Sequence, residues 1–296
     1  MAHTPIPTRR EGLRRREALA LLPLLAAPWP ALAQTELSDL ERIRASGTLK
    51  VAVYKDNAPF SSGPVADIKG LDVSLAEALA RQMNLKLALL PFDAGENMND
   101  DLRNMVWRGH YLGYGPADVM LQVPADRYLA NANPQVMILA PYMRQSNVLL
   151  HDTRRLADAA TPEDLKGLAL AAEKGSGAAS VLMGYGGGLL RNQVAIYNTG
   201  VEAAQAVLEG KAVGAFVARA QAESALSRQS GAAAQFRLSK IGFNNGIVDN
   251  GWPVALAVKA SNKNLGAALE AAMKAIRESG EMLAIFKQHG LTLTAP

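Results

Sequence analysis

Apolar positions along this chain switch between two periods. The stretch TLKVAVY (residues 48–54) puts Leu49, Val51 and Val53 at every second position, which predicts a strand with a buried face. In GLDVSLAEALARQM (residues 70–83) the apolar residues Leu71, Leu75, Ala78, Leu79 and Met83 recur at helical spacing. A second strand follows at 85–91, then a short helix at 100–108 with Leu102, Met105 and Val106 inward and Asn99 or Asp100 as its cap. ADVML (117–121) and residues 136–141 predict the third and fourth strands. Ahead of all these, residues 37–46 form a leading helix that stops at Gly47.

The second half repeats the grammar. A strand-like 147–150 precedes Thr161-Pro162-Glu163-Asp164-Leu165, a short helix with Pro at its first position. A strand at 168–172 runs into Gly175-Ser176-Gly177 and a helix to about Met183. Strand, helix, strand, helix follow at 192–197, 201–208, 213–217 and 218–227. After Asn244-Asn245-Gly246 the chain returns with a strand at 253–258 and closes in helices at 264–279 and 281–288. Strands alternating with helices predict α/β architecture with mostly parallel sheets. Two such units arise, the last segment completing the first. The chain then crosses between lobes twice, near 142–147 and near 240–246. The expected division is 1–33 as leader, 34–143 and 244–296 as lobe one, and 144–243 as lobe two. Two crossings make a hinge, and the cleft between lobes is the default ligand site.

Composition changes the picture at the N-terminus. Arg9, Arg10, Arg14, Arg15 and Arg16 precede an apolar run at 18–29, and Ala31-Leu32-Ala33 supplies small residues for cleavage. A secretory signal peptide is therefore expected, with the mature chain beginning at Gln34 and residing in the periplasm. The run is too short and too interrupted by Pro to remain in a bilayer. The Arg pair leaves twin-Arg and general export both open. The formal charge of +4 falls to +1 once the leader goes, leaving 26 Lys and Arg against 25 acids. No basic block remains to argue for nucleic acid or an anionic membrane. There is no Cys, which excludes disulfides, thiolate chemistry and Cys-based metal sites. His110, His151 and His289 have no ligand spacing, and no metal or cofactor is expected. No nucleophile motif or paired carboxylates mark a catalytic set.

The ordered pieces TLKVAVYKDNAPFS, GLDVSLAEALA, ADVML followed by Arg127, LAPY, DLKGLALAAEKGSG and SGEMLAIFKQHGL resemble the bacterial solute-binding protein family 3. The resemblance covers nearly the whole mature chain. It implies a two-lobed periplasmic binding protein fold, each lobe a mainly parallel sheet flanked by helices and joined by two hinge strands. It also implies a ligand cleft near Tyr54, Asn57 and Phe60 after the first strand, Gln122 and Arg127 after the third, Ser176, Arg219, and Asn245 and Trp252 on the return crossing. Family members grip an α-carboxylate with Ser or Thr beside the Arg, and an α-ammonium with an Asp after the fifth strand of lobe two. Here VMLQVPADR has no hydroxyl, and VGAFVARAQ carries Gly214 and Arg219 where acids are expected, so the anion partner for an amino acid is missing from that segment.

Residues 101–121, DLRNMVWRGHYLGYGPADVML, resemble a narrower group: the binding-protein-like component associated with periplasmic PQQ-dependent methanol dehydrogenases. That resemblance implies a non-catalytic accessory or maturation role, with the dehydrogenase, or its cytochrome c, as partner. The alternative is the receptor of an ABC importer, with a permease as partner. Trp107, His110, Tyr111 and Tyr114 concentrate four rings in eight residues. They form either a docking surface for a partner or a small local core under an enlarged loop.

Overall fold

The computed structural model describes residues 38–159, 161–229, 231, 234–243 and 250–296. The expected signal peptide (residues 1–33) and Asn245 lie outside the described residues. Helix α1 (Asp39–Ser46) opens on a reciprocal cap: the Glu41 N–H donates to the Ser38 hydroxyl while the Ser38 N–H donates to the Glu41 carboxylate. It stops at Gly47, whose φ of 69° suits a residue without Cβ.

The first sheet takes β1 (Thr48–Tyr54), β2 (Lys86–Phe92), β3 (Val119–Pro124), β4 (Val136–Gln145) and the returning strand β10 (Trp252–Lys259), in the order β2-β1-β3-β10-β4. β1 runs parallel to β2 and β3, whereas β10 is antiparallel to both of its neighbours. The second sheet repeats the scheme with β5 (Asn147–Asp152), β6 (Leu170–Glu173), β7 (Val194–Tyr197), β8 (Gly214–Ala218) and β9 (Phe236–Ser239), in the order β7-β6-β8-β5-β9. There β5 is the reversed strand. Each sheet is therefore mixed, with a single strand against the direction of the rest.

Helices α2 (Leu71–Gln82), α8 (Lys263–Glu278) and α9 (Glu281–Gln288) cover one face of the first sheet. They bury Leu75, Leu79, Leu269, Ile276 and Phe286 against Val51, Val119 and Val258. The opposite face carries a smaller cluster built on Phe92, Leu102, Met105, Val106 and Met120. In lobe two, α6 (Gly200–Leu208) and α7 (Arg219–Ser227) cover one face and α5 (Gly177–Gly184) the other. Consecutive Leu149 and Leu150 point into opposite clusters, as the pleat requires.

The first crossing is short, and the returning strand pairs beside it. β4 ends at Gln145 and β5 begins at Asn147, so Ser146 alone separates the lobes on that path. β10 enters alongside, with Trp252 opposite Gln145 and Pro253 opposite Arg144. Gly251 makes this approach possible: its φ is 74°, and a Cβ there would lie 1.8 Å from the Gln145 carbonyl oxygen. The C-terminal tail crosses too. The Thr292 N–H donates to Glu223 of α7 (2.8 Å), and the Thr294 hydroxyl donates to the Arg144 carbonyl (2.6 Å).

Several local expectations are corrected. The helix expected at 100–108 is α3 (Met98–Leu102) followed by a π-helical turn (Arg103–Trp107). Its cap is Asn97, whose side chain accepts from the Asn99 and Asp100 N–H groups, rather than Asn99 or Asp100. The third strand extends to Pro124 through a bulge: three residue steps from Met120 to Val123 face two on β10, and Gln122 takes φ 62°. Helix α4 (Arg127–Ala132), capped by Asp126, and edge strand β9 are additions to the expected elements.

Candidate functional site

Where the two crossings meet, a cavity of about 430 Å³ takes residues from both lobes. Asn57 comes from the loop after β1 in lobe one, and Gln145, Asn147 and Trp252 from the crossing strands. Lobe two contributes Glu173 at the end of β6, Ser176 and Gly177 at the start of α5, and Gln221 of α7, with Val181 and Val217 as apolar wall. The volume suits a small solute. Asn57 also lines a second cavity of about 280 Å³ with Tyr54, Asp56, Asp93 and Ala94, so the two adjoin at that residue.

The polar floor is held by local chemistry. Buried Gln221 is fixed at both ends: its side-chain oxygen accepts from the Ala218 N–H (3.1 Å), and its NH₂ donates to Glu173 Oε2 (2.9 Å). Gly200 makes room for it, since a Cβ there would sit 1.9 Å from the Gln221 oxygen. Ser176 caps α5, accepting from the Ala179 N–H (3.0 Å) and donating to the Glu173 carbonyl (2.9 Å). The segment 213–221 carries no acid, as expected, but lobe two places one at this cavity from elsewhere, Glu173. Glu173 ends β6, two strands before the β8 segment where the family keeps its acid. An acidic residue ending an apolar strand two positions before Gly175-Ser176-Gly177 is the signal that points to it.

The predicted cleft residues scatter. Asn57, Ser176 and Trp252 share the larger cavity, and Tyr54 lines the smaller. Tyr54 is half-buried against Phe92 (ring centroids 4.5 Å apart), and its hydroxyl donates to Asp101 (2.7 Å). Burial, then the Asp101 charge, raises the Tyr54 pKa far above its ordinary value, and burial likewise raises that of Asp101. Phe60 is no cleft residue: at 1% exposure it belongs to the lobe-one core, because the turn in which Asn57 accepts from Ser61 folds it inward. Gln122 is also corrected. The bulge turns its amide onto Asp72 Oδ1 (3.1 Å), away from the cleft. Arg127 is exposed as the first residue of α4 and lines none of the cavities described. Arg219 donates to Glu223 (2.7 Å), which holds its guanidinium along α7 rather than in the cavity.

Gln122 belongs to a buried cluster that sequence reading passed over. Asp72 is fully buried and accepts on Oδ1 from Gln122 and from the Tyr142 hydroxyl (3.2 Å). Its Oδ2 and the buried Ser61 hydroxyl have no hydrogen-bond partner among the described residues. Burial pushes the Asp72 carboxyl up to about 7.

The aromatic loop divides between the two roles expected of it. Trp107 and Tyr114 are half-buried and pack against the small cluster of lobe one. His110 stacks on Tyr114 at 4.3 Å with an interplanar angle of 15°, and meets Tyr111 on its other side, also at 4.3 Å. The His110 N–H donates to the Tyr114 carbonyl, closing the loop. Tyr111 and Leu112, at its tip, are 87% and 68% exposed. No group of acids and His capable of holding a metal occurs among the described residues. No described helix is long and apolar enough to cross a membrane.

No family model matches the chain. A cyclohexadienyl dehydratase from Pseudomonas aeruginosa is 39% identical over 85 residues, which is 28% of this chain and 31% of that enzyme. The chain thus matches under a third of the length of this curated relative. Among solved structures, an ancestral cationic amino acid solute-binding protein superposes with a TM-score of 0.66 at 19% identity, covering 85% of this chain and 99% of its own. An amino acid ABC transporter substrate-binding protein from Streptococcus pneumoniae, bound to L-arginine, gives 0.60 at 18% identity, with 87% and 100% covered. At these identities the likeness is one of fold, and the fold is that of two-lobed periplasmic binding proteins.

Proposed function

We propose that this chain is an extracytoplasmic receptor for a small polar solute, working with an ABC importer. The observation that carries the reading is the 430 Å³ cavity at the double crossing, to which both lobes contribute polar side chains. A ligand there touches Asn57 on one lobe and Glu173, Ser176 and Gln221 on the other. It therefore favours the arrangement in which the lobes are together. The full-length superposition on amino-acid transporter proteins supports the same reading. The test is thermal-shift screening of the mature chain against amino acids, amines, sugars and organic acids. A ligand at about 100 times its Kd stabilises by roughly 2.7 kcal/mol, a clear rise in melting temperature. A flat response across the panel refutes the receptor reading.

A second reading has an observation of its own. The exposed Tyr111 and Leu112, held on a stacked His110–Tyr114 base, make a small apolar projection suited to a protein partner. It supports an accessory role beside a PQQ-dependent methanol dehydrogenase. Co-purification with the apo-dehydrogenase, lost in a Tyr111→Ser, Leu112→Ser double variant, would favour this reading; its absence with the wild-type chain removes it.

A further inference from the structure

Resting on the receptor reading, we infer that the ligand is an organic cation without a carboxylate: an amine or guanidinium compound rather than an amino acid.

Three features of the larger cavity lead there. Glu173 is half-buried at the end of β6, lines the cavity and engages Gln221 through Oε2, while its Oε1 has no protein donor among the described residues. Among the described residues, no Lys, Arg or His lines this cavity to balance it. A carboxylate half out of water calls for a cation or several N–H donors, and here the ligand is left to bring them. Secondly, the side chains of Asn57, Gln145 and Asn147 face the same space with no side-chain hydrogen bond to another protein group among the described residues. Their carbonyl oxygens accept further N–H groups. Thirdly, the Trp252 indole lies on the wall, a surface over which ammonium and guanidinium groups are attracted.

The same features discriminate against a ligand carboxylate. The groups that would receive it are displaced: Arg219 is held by Glu223, and Arg127 is exposed outside the cavity. What remains are neutral donors: the amide NH₂ groups of Asn57, Gln145 and Asn147, and the start of α5, where the N–H groups of Gly177 and Ala178 have no protein acceptor among the described residues. A helix terminus carries about half a positive charge, against the full negative charge of Glu173 four residues away. Those N–H groups suit a neutral acceptor, such as a hydroxyl. The adjoining cavity adds one further acid, Asp56, since its Asp93 is paired with Lys55 at 2.8 Å.

Calorimetric titration of the mature wild-type chain tests this with two matched pairs: agmatine against L-arginine, and putrescine against L-ornithine. The expected result is tighter binding of the carboxylate-free member in at least one pair by tenfold or more, with affinity falling as salt rises. In Glu173→Gln, that binding weakens tenfold or more while the melting temperature without ligand stays within a few degrees. Tighter binding of the amino acids, or an unaffected Glu173→Gln variant, overturns the ligand class and leaves the receptor reading standing. So does the absence of binding by both pairs when another solute of the wider panel binds. If no solute binds at all, both fall together. The comparison within pairs uses wild-type protein, so it decides the matter even where the variant fails to fold.

Discussion

Asp72 illustrates how a single residue carries information that pattern alone conceals. In GLDVSLAEALA it stands beside the apolar stripe and reads as an ordinary acid in a helix's first turn, favoured by the helix dipole. In the fold it is fully buried, with one oxygen unpartnered and its pKa raised to about 7 by burial. The protonated form is thus favoured in the folded chain. The associated stability is fully present below the unfolded value near 3.8 and is lost as pH rises through about 7. Asp72→Asn keeps the acceptor for Gln122 and Tyr142 and removes the carboxylate whose burial is costly. It should be more stable than wild type at pH 8, by on the order of 1 kcal/mol per pH unit crossed, with the difference shrinking at pH 5. Urea melts at the two pH values check this; equal stability at pH 8 would show that Asp72 is ionised without penalty.

At the scale of elements, the helical stripes and alternating strands were readable because their periods are local. Residues 281–288 of the closing helix were expected as one helix, and α9 spans them. The β3 bulge and the π-helical turn are not legible in the local pattern, because each depends on contacts outside its own segment. Gln122 adopts a positive φ to reach Asp72, fifty residues earlier, and Asp101 turns toward Gly95 and Tyr54. The aromatic loop was readable as a cluster but not in its split between core and surface. That split makes opposite predictions for neighbours in sequence. Trp107→Ala should cost on the order of 2 kcal/mol, since its ring packs on the lobe-one satellite cluster. Tyr111→Ser with Leu112→Ser should change stability by less than about 0.5 kcal/mol. Chemical denaturation separates them, and similar losses for both would mean that the loop tip is buried. At the hinge, Gly251→Ala should lower stability by roughly 1–3 kcal/mol, since the added carbon meets the Gln145 carbonyl.

For the whole molecule, the sequence order of strands was enough to anticipate two similar lobes and a returning C-terminal segment. The identity of the cleft was harder to read. Asn57, Gln145, Glu173, Gln221 and Trp252 are spread over nearly two hundred positions, and only the double crossing brings them to one cavity. Amino-acid recognition was sought where related sequences keep it, after the third strand of lobe one and the fifth of lobe two. This chain places its acid at the end of β6 instead, steadied by Gln221. The same geometry provides a direct reporter. From Gln34 onward the chain has two Trp, Trp107 in the loop and Trp252 on the cavity wall. The measurement that tests the account most directly is a fluorescence titration of the Trp107→Phe variant with any solute that stabilises the protein. A saturable change in Trp252 emission, with the same midpoint as the calorimetric titration, is predicted. Stabilisation without any change in Trp252 would place the ligand away from the crossing cavity and contradict the account.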